Sequence, residues 1–316
     1  MNDSLRIAVI SGGDSTEAAV SRNSGRAVET ALRASFLHVE HCEFDADLPA
    51  RLVAGGIDVV FPVLHGGKGE NGCFQGFLEI LGIAYVGSGV TACALAMDKA
   101  LAKCVMQGAG VPVADGFRTA GEDIEPYVAL ALERFQGNGC VVKPNSAGSA
   151  LGMSFCNTED EIRKGLALAL SFSSSALIEQ WFIGREITVA IVEDENDVLL
   201  AFPPVEIVTP TGQWFDYEHR YTPGASRHIC PAELPEAVSK RVQHYAMTAH
   251  QAIGCRDYSR VDLLVNKVGN ALVLELNAIP GMTEISLFPD AAQSAGYDFV
   301  ELVRLLVSRA VKRRRS

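Results

Sequence analysis

The sequence contains no Cys-x-x-Cys pair. Its eight cysteines, at 42, 73, 93, 104, 140, 156, 230 and 255, are scattered singly. That spacing argues against a zinc ribbon or a disulfide framework; it fits reduced thiols and predicts a cytoplasmic protein. No Gly-x-x-x-x-Gly-Lys-Ser/Thr motif occurs, which excludes a P-loop nucleotide site, and Gly87-Ser88-Gly89 lacks the third glycine of a dinucleotide fingerprint. No apolar stretch approaches the length of a membrane span, and the short run at 5–10 is cut off by Gly12-Gly13 before it could serve as a signal-peptide core. Positive charge is scarce as well. With 27 Lys and Arg against 38 Asp and Glu, the net charge of −11 argues against broad binding to nucleic acid or to an anionic membrane. The one basic run, Lys312 to Arg315, reads as a solvated helix end.

What is present is ordinary for a globular chain: 48% hydrophobic and 21% charged residues over 316 positions, too long for one core, so two or three lobes are expected. Residues 1–97 alternate strand-like runs (5–10, 36–42, 57–64) with helical spacing over 20–32 and a helix capped by Asn71 and running to Leu81. This alternation predicts a doubly wound parallel α/β lobe with its ligand edge at the strand C-termini. A second lobe over 98–178 is expected to contain a helix at 98–108, a strand at 139–143, a glycine-rich loop at 145–152 and a helix at 159–170. The third, 179–316, is expected to begin with the strand at 177–182.

The sharpest chemical signal is the pair of strand-like segments 259–265 and 272–277, joined by a turn near Val268-Gly269. Residues two apart on a strand share a face, so Arg260 projects with Asp262, and Glu275 with Asn277. A two-residue turn would set Asp262 opposite Glu275 and Arg260 opposite Asn277. Facing carboxylates repel unless a cation lies between them, and an oxygen-only set of Asp, Glu and Asn suits a hard ion, Mg²⁺ first. A plain solvated strand face explains the alternation but not this choice of side chains beside Pro280-Gly281.

Two weaker signals accompany it. Lys143 ends an apolar strand and precedes the small-residue loop 145–152, an arrangement that can surround phosphates with an ammonium and backbone N–H groups; a simple hairpin turn reads equally well. The apolar run at 177–183 carries Glu179 and is followed by Glu186. It could wall an adenine slot and supply an acceptor for a ribose, or be a core strand ending in a turn.

Lys99, Lys143, Glu179, Glu186, Asp262, Glu275 and Asn277, in this order, resemble the ATP-grasp superfamily, and the likeness narrows to the D-alanine–D-alanine ligase family. The segments 12–17, 65–72 and 87–99 resemble that family's first three loops, 216–221 its mobile ω-loop, and Glu275-Leu276-Asn277 followed by Pro280-Gly281-Met282-Thr283 and Ser286-Leu287 its closing signature. The matches run from residue 12 to 287. The resemblance implies a three-lobed ATP-grasp fold and an ATP-dependent ligation of two D-alanines through an acyl phosphate, for peptidoglycan precursors. It implies that Lys99, Lys143, Gly148 and the rest of the loop at 146–152 hold ATP phosphates, that Glu179 and the backbone near Trp181 and Phe182 hold adenine, and that Glu186 takes the ribose. Asp262, Glu275 and Asn277 are implied to bind two Mg²⁺, with Mn²⁺ a possible substitute. Glu17 and His65 would lie by the first amino acid, with Ser149 and Tyr221 linked to Glu17. Arg260 and the Gly281 N–H would stabilise the oxyanion, and Ser286 would hold the second carboxylate. A homodimer is implied, with small molecules as its only other partners.

The chain departs from the family pattern at Ala18, Ala19, Asn71, Ala147, Ala150, Arg220 and Ala278. A relative joining other small amino acids, and a nucleotide-binding relative that no longer ligates, therefore stand beside the main reading.

Overall fold

The computed structural model describes residues 4–120, 123–210, 225–283 and 286–315, and three sheets follow one another along it. The first comprises β1 (Arg6–Ser11), β2 (His38–Glu43), β3 (Val59–Pro62) and β4 (Ala84–Tyr85), all parallel, in the order β2-β1-β3-β4. Parallel strands need crossovers, which α1 (Ala18–Arg33), α2 (Leu48–Ala54) and the pair α3 (Gly67–Glu70) and α4 (Cys73–Leu81) supply. Ile7 and Val9 pack with α1 residues on one face, Ala8 and Ile10 with Leu48, Leu52 and Leu78 on the other. A strand covered on both faces reads as a continuous apolar run, the signature seen in the sequence. The residue at the N-cap of α4 is Gly72 rather than Asn71. The chain reverses there at φ +94°, and a Cβ would meet the Val90 carbonyl at 2.7 Å, so only glycine fits. Asn71 still accepts the Cys73 N–H, at 3.1 Å.

After α5 (Val90–Met97) and α6 (Lys99–Gly108), capped by Asp98, comes an antiparallel sheet of β5 (Gly116–Arg118), β6 (Cys140–Pro144), β7 (Ser154–Cys156) and β8 (Ala176–Gln180), in the order β5-β8-β6-β7. α7 (Glu125–Arg134) and α8 (Glu159–Leu170) cover it, the latter opened by a Thr158/Glu161 capping box. The strand expected to open the third lobe is β8, and it lies inside this second sheet, between β5 and β6. Its apolar run suits either sheet; only the long-range pairing decides, and local sequence carries no trace of that.

The third sheet is formed by β9 (Arg185–Glu193), β10 (Leu199–Ala201), β11 (Val205–Val208), β12 (Arg227–Ile229), β13 (Tyr258–Val265) and β14 (Ala271–Asn277), in the order β12-β11-β9-β13-β14 with β10 on β9. α9 (Glu236–Ile253) packs behind it, while α10 (Leu287–Ser294) and α11 (Phe299–Arg315) return to the first sheet, so Leu302 and Leu306 share a core with Ile7 and with Tyr258. The element order is the mixed α/β pattern anticipated above, with a parallel first lobe. Among the described residues no helix is long and apolar enough to cross a membrane.

One buried carboxylate pins the last helix to the first lobe. Asp257, fully buried, accepts the Gly87 N–H at 2.7 Å and is paired with Arg309 at 3.2 Å and with Arg313, both on α11. Removing the charge leaves Arg309 with Glu193 and Asp197 but takes the one fully buried carboxylate from the network, and breaking a buried pair costs several kcal/mol. Asp257→Asn tolerates the left-handed backbone at this position (φ +64°) while deleting the charge. It should lower unfolding free energy by about 3 kcal/mol in a urea titration; an unchanged midpoint would show that the pin is ornamental.

Candidate active site

The site grows from the β13–β14 hairpin. Its loop is wider than the two-residue turn assumed from sequence: Val265 pairs with Ala271, and Asn266 closes the intervening residues through its side chain and backbone. In that register Asp262 would face Leu274. The ladder instead shifts between Asp262 and Leu263, so that Asp262 pairs with Glu275 and Arg260 with Asn277. The extra residue is a β-bulge in β14. Its effect is visible in burial. Val273 and Leu276 point into the core behind the sheet, while both Leu274 and the adjacent Glu275 line the cavity in front. The expected facing carboxylates are therefore present, brought about by a bulge rather than by a tight turn.

Between this hairpin and the second sheet lies a cavity of about 750 Å³. Leu264, Leu272 and Leu274 form one apolar wall; Leu151, Met153, Phe155 and Trp181 form the other, with the last two rings 5.0 Å apart. Phe182 and Glu186 lie along its outer part; Lys99, Lys143, Asp262 and Glu275 lie along its inner part. Lys143 pairs with Glu179 at 2.5 Å, and Lys103, one helical turn after Lys99, pairs with the other oxygen of the same carboxylate. Burial alone would raise the Glu179 carboxyl, but the two ammonium groups overcome it and hold the group below the ordinary range. Burial also pulls the Lys103 ammonium down, to about 8, against the Glu179 charge. The Glu179 side chain thus sets the lysines in place as well as lining the slot. Lys99 reaches Glu275 at 3.1 Å and the Ala147 carbonyl at 2.9 Å.

A second, smaller cavity of about 120 Å³ adjoins the first at Glu275, which lines both. It is enclosed by Glu17, His65, Glu70, Gly148, Ser149, Arg260, Asn277, Gly281 and Ser286, together with His228. Ser149 donates to Glu17 at 2.5 Å, joining the loop between β6 and β7 to the loop before α1. Gly148 packs so closely that a Cβ would meet Glu17 Oε2 at 2.7 Å. Arg260 grips Asp262 with two bonds of 2.9 Å, and Thr188 (2.6 Å) and Asn277 (3.2 Å) donate to the same carboxylate. Ser286 accepts the Thr283 N–H at 3.0 Å, and its Oγ would lie 2.9 Å from a Cβ at Gly281. His65 is buried with no partner for Nε2 among the described residues; burial, with Arg260, depresses its basicity against the pull of Glu17. Tyr221 and the segment 216–221 lie outside the described residues.

The apolar slot ends in lysines and opens, past two facing carboxylates, into a small polar chamber. The family model described as D-ala D-ala ligase C-terminus matches residues 105–308, and that of the N-terminus matches 47–88. The chain belongs to the D-alanine–D-alanine ligase family. A D-alanine–D-alanine ligase from Desulfotalea psychrophila is 44% identical over 308 residues, 96% of this chain and 94% of that protein; one from Pelotomaculum thermopropionicum is 40% identical over 312 residues, 98% and 97%. Among solved structures, D-alanyl-alanine synthetase A from Vibrio cholerae superimposes with a TM-score of 0.87 at 27% identity, covering 99% of this chain and all of that one. The D-Ala:D-Ser ligase VanG from Enterococcus faecalis does so at 0.84 and 28%, covering 97% and 99%.

Several residues of this D-alanine–D-alanine ligase family site were not singled out from sequence. Lys103 was signalled only by its i,i+4 spacing from Lys99. Asn145, buried, ties the loop to the start of α6 through the Lys99 and Ala100 N–H groups. His228 is held by Asp290 at 2.7 Å. Glu70 accepts the Gly66 N–H at 2.7 Å, yet burial and the Glu17 charge push its carboxyl up to about 8. A carboxyl raised above its ordinary value of roughly 4.3 favours the folded state when protonated, so that contribution is present at low pH and is lost as pH rises through about 8. Glu70→Gln keeps the neutral shape at every pH. Its unfolding free energy relative to wild type should rise by roughly 1–2 kcal/mol between pH 5 and pH 8.5, a range reduced for the solvent that reaches this half-buried side chain. Parallel curves for the two proteins would refute the shift.

Proposed function

We propose that the chain joins two molecules of D-alanine into D-alanyl-D-alanine, coupled to cleavage of ATP to ADP and phosphate, to supply a building block of peptidoglycan. Membership of the family supports this. The observation that carries it is the junction at Glu275, where the nucleotide-sized slot meets the smaller chamber that contains Glu17, Ser149 and Arg260. The apolar walls with Trp181 and Phe182 take the adenine, Glu186 the ribose, and Lys99, Lys143 and the loop around Gly148 the phosphates. The set Asp262, Glu275 and Asn277 offers oxygen donors from neighbouring positions of two paired strands, so the residues fit a hard divalent cation, two Mg²⁺ with Mn²⁺ as a substitute. Such ions would offset charge on the transferring phosphoryl group.

The remaining chemistry belongs to side chains. The first D-alanine lies by Glu17 and His65, and its carboxylate oxygen attacks the terminal phosphorus with ADP leaving. The second lies with its carboxylate near Ser286, and its amine attacks the acyl carbon. Arg260 and the Gly281 N–H take up the oxyanion charge, and inorganic phosphate departs. An acyl phosphate hydrolyses readily, so the chamber must exclude water while it exists. Its small volume and the Glu17–Ser149 bond in its wall serve that need. We read the oligomer as a homodimer working in the cytoplasm.

Incubation with ATP and Mg²⁺ across a panel of amino acids, scored for phosphate release and for product mass, tests the reading. D-Alanine should stimulate release and yield the dipeptide, with D-lactate incorporated far less than D-alanine at neutral pH. Release with L-amino acids and none with D-alanine would sink it. Glu275→Gln removes charge but not bulk from the proposed metal set and should lower turnover at least 100-fold, about 3 kcal/mol of transition-state stabilisation, in protein that still folds. Full turnover at saturating Mg²⁺ would refute the assignment of Glu275.

A further inference from the structure

Two cysteines outside the reaction chemistry lie where a bond between them would touch it. Cys140 in β6 and Cys156 in β7 are direct partners across an antiparallel ladder, so their side chains share a face, and both are buried. Opposed residues in such a ladder have Cα atoms roughly 4.5–5.5 Å apart, within the 4.4–6.8 Å that a disulfide spans. The Cys156 thiol donates to the Glu161 carbonyl on α8 at 3.3 Å. Opposite Cys156, α8 carries Gly165, whose hypothetical Cβ would lie 3.1 Å from the sulfur, so the thiol has room that any other residue would take away. Cys93 and Cys255, also buried, do not face each other on paired strands. The plainest alternative is that 140 and 156 are two small hydrophobes filling a core; that alternative predicts inert thiols.

We propose that Cys140 and Cys156 form a reversible dithiol–disulfide pair whose oxidation by a small peroxide clamps the hairpin that carries the phosphate loop. Access comes from the edge. β7 has three residues and hydrogen-bonds on one side only, to β6, so it can part from the sheet locally without disturbing the other strands. Beside Cys156 the Cys140 thiol is drawn below its ordinary value against the opposing effect of burial, which favours Cys140 as the attacking sulfur. Its thiolate attacks a peroxide oxygen; the O–O bond breaks, hydroxide leaves and takes up the thiol proton as water, and Cys140 becomes a sulfenic acid. The Cys156 sulfur then attacks Cys140 sulfur, the S–O bond breaks, and a second water departs. Two thiols and one hydrogen peroxide thus give one disulfide and two waters, and a dithiol reductant reverses the change. The new bond would tie together the two ends of the segment holding Lys143, Gly148 and Ser149.

The test treats the full chain with hydrogen peroxide and maps the cysteines by peptide mass spectrometry, with amide exchange of residues 146–153 measured before and after. A linked 140–156 peptide should appear, disappear with dithiothreitol, and be lost in Cys156→Ser. Exchange in 146–153 should slow several-fold in oxidised wild type and not in peroxide-treated Cys156→Ser. Free thiols at 140 and 156 after exposed Cys73 and Cys104 have been oxidised would overturn the proposal, and the wild-type map decides this without any variant. A cross-link that forms with no change in exchange at 146–153 would overturn the clamp.

Discussion

The arrangement of the site depends on one residue's slip in the pairing of β13 with β14. Strand side chains alternate strictly, so a regular β14 that buries Val273 would also bury Glu275 and send Leu276 outward. The bulge at Leu274 breaks the alternation once. On its turn side the strand offers leucines to the slot; on the other side it offers Glu275 and Asn277. An apolar surface for a base and a polar end for phosphates are thereby written into consecutive residues of one strand. The core behind the sheet still receives Val273 and Leu276 without a gap.

Charge balance follows from that geometry. Three carboxylates and four cations converge on the inner part of the slot: Asp262 with Arg260, Glu275 with Lys99, and Glu179 between Lys103 and Lys143. Groups this buried would each cost several kcal/mol if left unpaired, so every charge has a partner before any ligand arrives. The balance leaves one excess positive charge beside Glu179, suited to a polyanion. A divalent cation placed between Asp262 and Glu275 would take over both carboxylates and release Lys99 and Arg260 towards phosphate and oxyanion.

Much of this was legible in the sequence, and the gaps have physical causes. The parallel first lobe could be read because strands covered on both faces are uniformly apolar, as at residues 7–10. Asp262 opposite Glu275 was legible from period-two spacing, although the turn assumed was too short: a wider loop and a bulge cancel in register, and no local signal separates that from a tight turn. β8 was placed with the wrong lobe because an apolar five-residue run says nothing about its neighbours in a sheet. Lys103 and Asn145 went unnoticed because each acts through another residue, Lys103 by pairing with Glu179 and Asn145 by anchoring the helix that presents Lys99. Such supporting roles leave no motif; they arise from burial, which sequence does not display.

The last constraint lies across the lobes rather than within one. Glu17 comes from the loop that follows the first parallel strand, while Ser149 comes from the loop between β6 and β7, 132 positions away. Ser149 and Ala150 both take left-handed backbone angles, φ +54° and +55°, which a residue with a Cβ adopts only when its surroundings compensate. The short bond to Glu17 is one such compensation at Ser149, and Gly148 makes it possible by allowing the two loops to touch. The phosphate loop is therefore held in its conformation partly by the lobe that would bind the first amino acid. Whatever displaces Glu17 removes support from the loop, and whatever orders the loop draws Glu17 into place. On the proposed assignment the nucleotide and amino-acid subsites share this contact, and a reaction that passes through an intermediate sensitive to water is served by subsites that close together.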